Sequence, residues 1–276
     1  MAHIEFEKRL IAQSVKRGAM CDQAHPVWLL INAAATPDRT KSLQGLADDC
    51  TPWLLSYAKT LEQMGANFLV VTCNTAHAFY GRVQPALDIP WIHMMRGVSG
   101  FITHQNLKSH QIGVMATTGT LKARLYSDSL VNAGLTPIIP SLTSDVQRQI
   151  MESIYAPGWG IKASGASVST KALKTLQCVI DWFASQGADL VIAGCTELSV
   201  ALAMLDSLAL PWIDPLDIMA DITVAAARGE IVLPSVAPMS VVSGAAAPES
   251  VVIYPARTSV ASDSASSSDV PASLSP

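Results

Sequence analysis

Charged and aromatic residues are scarce in this chain. Asp, Glu, Lys and Arg together make up 14% of its 276 residues and aromatic residues 6%, whereas 50% are hydrophobic. The formal net charge is −4, so the sequence lacks the basic excess typical of a nucleic-acid-binding protein. It also lacks a run of about 18 apolar residues, the length that crosses a membrane. We therefore expect a large apolar core and a small-molecule partner, with no nucleic acid and no membrane.

The cysteines do not have the pattern of a disulfide framework. The chain has five, an odd count without the spacing of small secreted domains, and no apolar secretory stretch precedes them. Free thiols in a cytoplasmic protein are the simplest interpretation. Cys73 and His77 have the i, i+4 spacing of metal ligands on a helix, but no further ligands cluster with them in the sequence. We therefore expect no metal site.

One motif is present twice. The segments Gly65–Thr75 (GANFLVVTCNT) and Gly187–Glu197 (GADLVIAGCTE) each contain a glycine, a short apolar run, and a cysteine followed within two residues by threonine. The glycine is typical of a helix end, the apolar run of a buried strand, and the threonine of the start of the next helix. Cys73 and Cys195 are therefore predicted at the carboxyl ends of equivalent strands.

Helical and strand patterns alternate along the chain. This alternation predicts an α/β fold made of two similar doubly wound parallel-sheet halves related by pseudo-symmetry. We place the first half at residues 1–95, to which a last helix at 214–229 returns, and the second half at 96–213. Residues 230–276 form a tail rich in Ala, Ser, Pro and Val, whose end, Ala261–Pro276, is predicted to be disordered.

The individual elements are predicted from periodicity and from helix start and stop signals. Besides the apolar run before Cys195, the predicted strands are Val27–Asn32, Phe68–Thr72, Trp91–His93, Gln111–Ala116, Pro137–Pro140 and Trp212–Ile213. The predicted helices are Ile4–Arg17, Thr51–Met64, Thr75–Gln84, Val98–Lys108, Leu121–Ala133, Asp145–Ile154, Lys171–Gln186, Thr196–Leu205 and Leu216–Arg228. Loops are predicted at Thr36–Thr40, Thr117–Thr120 and Ala156–Ser169.

Two thiols that face one cleft can exchange protons with one carbon from opposite sides. Ligands of parallel sheets bind beyond the carboxyl ends of the strands, where helix amino termini stabilise a thiolate. Removal of the α-proton of an amino acid without a cofactor needs a base on one face, an acid on the other, and donors that hold the carboxylate. Cys73 and Cys195 are the candidate catalytic residues, and a small buried core residue is the structural alternative for each.

Donors for a substrate carboxylate are present near both cysteines. Asn74, Thr75 and Thr196 follow the cysteines, and the hydroxyls and the backbone N–H groups of the helix starts can hold an anion. Arg39 and Lys162 are in loops that we expect to open toward the same cleft. A guanidinium fork suits a carboxylate, although a solvated surface charge is the alternative for either cation.

These motifs resemble those of the aspartate/glutamate racemase family, in its aspartate-racemase branch. Cys73–His77 (CNTAH) and Gly194–Leu198 (GCTEL) are similar to its two cysteine motifs, and Pro37–Thr40 (PDRT) to its carboxylate-binding loop. Lys162 stands where that family has a characteristic lysine. Glutamate racemases of the cell-wall type usually have His after the second Cys-Thr, and this chain has Glu197 there, which favours aspartate. Glu197 itself is interpreted as an acceptor for the substrate amino group or as a helix first-turn charge.

The resemblance covers roughly Ile4–Arg228. It implies a racemase without pyridoxal phosphate or another cofactor, in which Cys73 and Cys195 exchange roles according to the hand of a dicarboxylic amino acid, and it implies a homodimer. The residues that the resemblance and the spacing together place against the substrate are Arg39, Asn74, Thr75, Thr117, Thr118, Lys162 and Thr196, with Thr120 as an alternative to Thr117 or Thr118.

Alternatives to this function stay open at this point. Members of the family begin with a strand and a Gly-Gly-Met loop, and Met1 falls where that loop should end. The first strand is therefore either missing from this sequence or replaced by another segment, such as Ile231–Tyr254. An inactive amino-acid-binding relative is one alternative. Another is a related reaction of the same superfamily: hydantoin racemisation, maleate isomerisation or malonate decarboxylation.

Overall fold

The second half of the chain contains a parallel four-stranded sheet in the computed structural model, which describes residues 2–105, 110–164, 167–234 and 236. The strands are β1 (Gln111–Ala116), β2 (Thr136–Ile138), β3 (Leu190–Gly194) and β4 (Trp212–Ile213), in the order β2-β1-β3-β4. The predicted α/β class with a parallel sheet is confirmed. β1 and β3 are buried along nearly their whole length, which explains why both are apolar runs without alternation.

Helices surround this sheet and form most of the first half. In chain order they are α1 (Ala2–Lys16), α2 (Arg39–Leu43), α3 (Thr51–Gln63), α4 (Tyr80–Val83), α5 (Met94–His104), α6 (Thr118–Lys122), α7 (Leu125–Asn132), α8 (Asp145–Tyr155), α9 (Ile161–Ser164), α10 (Thr170–Ser185), α11 (Thr196–Leu202) and α12 (Pro215–Ala227). Short 3₁₀ helices lie at Asp22–Ala24, Thr75–Phe79 and Gln84–Ala86.

The two faces of the sheet pack against different helices. Ile112, Val114 and Ile192 belong to a core that includes side chains of α1, α5 and α12. Met115 and Val191 point the other way, into a core with side chains of α8, α10 and α11. Helices on both faces are what a doubly wound parallel sheet requires, because side chains of each strand alternate between the two sides.

The first half differs from the predicted sheet. Val27–Asn32 is not a strand, and the prediction of a buried strand there was wrong: Val27 is 95% exposed and Leu30 51%. The predicted strands Phe68–Thr72 and Trp91–His93 are reduced to one isolated parallel bridge between Leu69 and Trp91. An apolar run predicts burial, whereas a strand also needs a neighbour whose backbone completes its hydrogen bonds. Among the described residues, Val27–Asn32 has no such neighbour.

Several predicted boundaries also change. The helix predicted at Thr75–Gln84 is divided into a 3₁₀ turn and α4, followed by a second 3₁₀ turn that contains Pro85. The predicted helix Leu121–Ala133 is interrupted, because Arg124 adopts a left-handed conformation with φ 54° between α6 and α7. The loops predicted around Thr117–Thr120 and Ala156–Ser169 contain the short helices α6 and α9.

The last helix returns to the first half of the chain. Side chains of α12 share a core cluster with Phe6 and Leu10 of α1, and Arg9 of α1 pairs with Asp214, the N-cap of α12. The predicted disordered end, Ala261–Pro276, lies outside the described residues, as does most of Ile231–Tyr254. No helix in the described part of the chain combines the length and the hydropathy that a membrane span requires.

Candidate active site

The two repeated cysteines occupy similar places in the chain trace. Cys195 directly follows the last residue of β3 and is the N-cap of α11. Cys73 comes four residues after Leu69, the bridge residue of the first half, and precedes the 3₁₀ helix Thr75–Phe79. Cys195 is buried, with 8% of its surface exposed, and Cys73 is half-buried.

A hydrogen bond joins the two motifs. The Thr196 hydroxyl Oγ1 donates to the backbone carbonyl of Thr72 over 3.0 Å, although the residues are 124 positions apart. Thr72 immediately precedes Cys73, and Thr196 immediately follows Cys195. The two thiols are also close enough for the charge of Cys73 to contribute to the raised pKa of Cys195. The structure therefore brings together the ends of the two repeated segments.

The thiol of Cys195 is hydrogen-bonded to the Glu197 carboxylate. The Cys195 Sγ donates to Glu197 Oε2 over 2.9 Å, and the Lys162 ammonium contacts Glu197 Oε1 at 2.6 Å. Burial and the Glu197 carboxylate raise the pKa of Cys195 well above that of an ordinary thiol, against the opposing effect of Lys162. The raised pKa favours the protonated thiol of Cys195, so burial and Glu197 outweigh the stabilisation of a thiolate expected from the helix start.

Glu197 and Lys162 stabilise each other's charged form. Burial alone would raise the pKa of Glu197, but Lys162 and the Cys195 thiol outweigh it and the net pKa is lowered. Burial likewise opposes the charge of Lys162, and its pKa is nevertheless raised because Glu197 faces it. Lys162, which the sequence predicts to bind substrate, is thus paired with a carboxylate of the protein. Glu197 is an anion beside a neutral thiol.

Arg39 lies beside Cys73. It is the first residue of α2, and the Asp38 carboxylate caps that helix by accepting a hydrogen bond from the Lys41 N–H. The Arg39 guanidinium donates to the carbonyls of Thr36 and Pro37. Burial opposes the charge of Arg39, but its interactions with Cys73, Asp38 and Tyr155 together raise its pKa. The predicted carboxylate-binding loop therefore places a cation near one of the two thiols.

Asn74 presents a free amide donor. Its Oδ1 accepts a hydrogen bond from the Tyr126 hydroxyl over 2.5 Å, which fixes the orientation of the amide. Its Nδ2 is buried and makes no hydrogen bond within the described residues, and the same holds for Arg39 Nε and Thr36 Oγ1. Unpaired buried polar atoms are rare in folded proteins and are often found at sites that bind a polar ligand. Asn74 follows Cys73 in the chain and Arg39 interacts with Cys73, so two of these atoms belong to residues beside that thiol.

The threonines predicted to line the pocket form two groups. The hydroxyls of Thr75, Thr117 and Thr120 bond to one another at 2.9 to 3.1 Å and are buried, so they connect α6 to the Cys73 segment. Thr118 is half-buried, and its hydroxyl accepts from Gln147. Thr118 lies at the start of α6 with its N–H toward the Met151 sulfur.

His77 has a structural position rather than that of a metal ligand. It is buried, and its Nδ1 lies 3.0 Å from the carbonyl oxygen of Cys73. Burial lowers its pKa to about 4, so the ring is neutral at physiological pH. Within the described residues, no group of three or more His, Cys, Asp and Glu side chains is arranged to hold a metal ion.

Two residues at the site were not assigned from the sequence. Tyr126 orients Asn74, and Tyr155 lies near the Lys162 ammonium, 5.5 Å from its ring centroid. Both come from helices far along the chain, and no local pattern marks either. Glu197 was noted two residues after Cys195, but its bridge between Lys162 and the thiol depends on where α9 packs.

Comparisons with known proteins support the family resemblance that these motifs indicate. The profile of the Asp/Glu/hydantoin racemase family matches residues 9–223. The broad specificity amino-acid racemase RacX of Bacillus subtilis is 30% identical over 178 residues, which cover 64% of this chain and 72% of RacX. A glutamate racemase of Deinococcus radiodurans is 28% identical over 138 residues, which cover 50% of this chain and only 44% of that relative.

Solved structures show the same fold. Picrophilus torridus aspartate racemase superposes with a TM-score of 0.68 over 82% of this chain and 89% of its own, at 21% identity. The glutamate racemase RacE1 of Bacillus anthracis gives a TM-score of 0.55 over 83% of this chain and 79% of its own, at 18% identity. At these identities the similarity establishes the fold alone.

Proposed function

The chain belongs to the Asp/Glu/hydantoin racemase family, and on this basis we propose that it is a cofactor-independent amino-acid racemase acting on acidic substrates, aspartate first and glutamate second. Cys73 and Cys195 are the two acid/base residues in this proposal. The observation that carries it is the hydrogen bond from Thr196 to the Thr72 carbonyl, because it ties the two cysteine segments together.

The raised pKa of Cys195 suits the role of the acid in a two-base reaction. With Cys195 protonated, the Cys73 thiolate takes the proton from Cα and becomes a thiol, and the C–H electron pair moves into the substrate carboxylate as an enediolate. The Cys195 S–H then delivers its proton to the opposite face of Cα and becomes a thiolate. The opposite enantiomer follows the same steps in reverse.

The donors around Cys73 suit an anionic substrate. The Arg39 guanidinium and the unpaired Asn74 amide Nδ2 can hold the α-carboxylate as negative charge builds up on it. Lys162 is 34% exposed beside Glu197, so it can turn toward a second carboxylate. A second carboxylate is the feature that separates aspartate and glutamate from neutral amino acids.

Isotope exchange tests the proposed function. The purified protein is incubated with L-aspartate in heavy water, and D-aspartate with deuterium at Cα is measured by chiral chromatography and mass spectrometry. Cys73→Ser and Cys195→Ser should each lower racemisation by at least about 100-fold, the typical contribution of a positioned acid or base. Cys178→Ser is the matched control, because Cys178 is an exposed free thiol on α10.

Two results would contradict the proposal. One is the absence of both inversion and deuterium incorporation in a folded sample tested with aspartate and glutamate. The other is full activity in either serine variant at position 73 or 195. Calorimetric binding of aspartate without exchange would indicate an amino-acid-binding protein instead.

A further inference from the structure

A small cavity lies outside the paired-cysteine site. Its volume is ≈ 140 Å³. One side is formed by Tyr80, Trp91, His93 and Arg96, and the chain that follows α12 covers another side through Leu233. None of these residues belongs to the site described above, although His77 connects the two regions.

Two polar atoms of the lining residues have no partner. Trp91 is 3% exposed, and its Nε1–H makes no hydrogen bond within the described residues; the same is true of His93 Nδ1. A buried donor without an acceptor destabilises the folded protein. Since an indole nitrogen can only donate, the missing partner of Trp91 is a hydrogen-bond acceptor.

The charge of the cavity favours an anion. Arg96 is exposed, its guanidinium lies 5.9 Å from the centre of the Tyr80 ring, and it makes no ion pair in the described part of the chain. Among the residues that the structure describes, no acidic side chain lines the cavity. Burial and the neighbouring positive charges keep His93 neutral, with its pKa lowered to about 2, so Arg96 supplies the positive charge.

The walls and the size favour a planar molecule. The Tyr80 ring lies 5.3 Å from the Trp91 ring and 4.7 Å from the His93 ring, both in edge-to-face geometry. Such rings pack well against the face or edge of a flat apolar group. A cavity of about 150 Å³ holds benzene in another protein, so this volume accommodates a ligand of similar size.

We propose that this cavity is a second binding site, for a small planar carboxylate whose anionic oxygens pair with Arg96 and, after the Trp91 side chain adjusts, with its buried Nε1–H. The site lies close to the catalytic region. The His77 ring is 5.2 Å from both the Trp91 and the His93 ring, and its Nδ1 lies at hydrogen-bond distance from the Cys73 carbonyl. A ligand in the cavity thus contacts residues that pack directly on the support of Cys73.

Benzoate is the probe for this site. Its binding to the full chain is measured by calorimetry, with benzamide as the neutral analogue of the same shape. Arg96→Gln should weaken benzoate binding by about tenfold or more, because a charge-assisted hydrogen bond is lost. Trp91→Phe keeps an aromatic wall and removes the donor, and it should weaken binding several-fold. Benzamide should bind much more weakly than benzoate.

Arg82→Gln is the matched control. Arg82 is also an exposed arginine beside an aromatic ring, 4.9 Å from the centre of Phe79, and it does not line the cavity. Its substitution should leave benzoate binding unchanged. The proposal is overturned if benzoate does not bind saturably, if Arg96→Gln and Trp91→Phe bind it as the wild type does, or if saturating aspartate displaces it. Circular dichroism establishes that each variant is folded.

Discussion

Replacement of Glu197 by Gln should make the Cys195 thiol more acidic. In the wild type, burial and the adjacent carboxylate both raise the pKa of Cys195, and Lys162 opposes them. Glu197→Gln removes the negative charge and keeps the size of the side chain. The positive charge of Lys162 then faces the sulfur without its counter-ion, so the thiolate gains a stabilising neighbour.

The magnitude follows from the distance between the sulfur and the carboxylate. Cys195 Sγ and Glu197 Oε2 are 2.9 Å apart. Two unit charges about 4 Å apart interact by about 4 kcal/mol at an effective dielectric constant of 20, which corresponds to about 3 pH units. Because Lys162 gains freedom to turn toward solvent in the variant, we expect the pKa of Cys195 to fall by less than this full interaction.

The assay is a pH titration of thiolate absorbance in the ultraviolet. Subtracting the titration of Cys195→Ser from that of the wild type isolates the signal of Cys195. For the Glu197→Gln protein, the titration of the double variant Glu197→Gln, Cys195→Ser is subtracted in the same way. Glu152→Gln is the matched control, because Glu152 is a partly exposed carboxylate that pairs with Arg148 and has no hydrogen bond to either thiol among the described contacts. It should leave the titration unchanged.

The sign of the change decides the outcome. An unchanged or higher pKa of Cys195 in Glu197→Gln would refute the electrostatic coupling between the two side chains. Lys162→Met provides the opposite test, because it removes the charge that favours the thiolate. It should raise the pKa of Cys195 further, and a fall would contradict the same reasoning.

Three further predictions concern stability and binding. Burial lowers the pKa of His77 from 6.5 to about 4, so the unfolded chain takes up a proton there that the folded protein does not. The free energy of unfolding therefore includes a contribution of up to about 3 kcal/mol from the neutral His77. This contribution is fully present above pH 6.5 and is lost as the pH falls toward 4. In urea titrations across this range, His77→Asn should show a shallower loss than the wild type, and an equal slope would contradict this. Thr196→Val leaves the Thr72 carbonyl without its hydroxyl donor, and calorimetric unfolding should show a loss of about 1–3 kcal/mol together with slower racemisation. Gly119→Ala would place a Cβ atom 2.7 Å from Thr40 Oγ1 and 3.0 Å from Thr40 Cα. We expect the free energy of unfolding in urea titrations to fall by about 1–3 kcal/mol and aspartate to bind more weakly. Wild-type affinity for aspartate would show instead that α2 moves to accommodate the methyl group.

The sequence by itself predicted the parts of the fold that depend on local pattern. β1 was predicted at Gln111–Ala116 and is found there, and β3 is the apolar run that precedes Cys195. Their residues are apolar without alternation because both faces of the sheet are covered. The position of Cys195 at the end of β3 follows from the same run. The repeated motif also pointed to the second cysteine segment, which is found joined to the first.

Only the tertiary structure decided which groups meet. Val27–Asn32 is as apolar as a strand, yet it is exposed, because a strand depends on a backbone neighbour that no local pattern reveals. Lys162 and Glu197 are 35 positions apart, and their ion pair exists because α9 packs near the start of α11. That contact lowers the pKa of Glu197 and so favours its charged form. The sequence identifies the chemical groups of the site, but their protonation depends on distances and burial that arise only when the chain is folded.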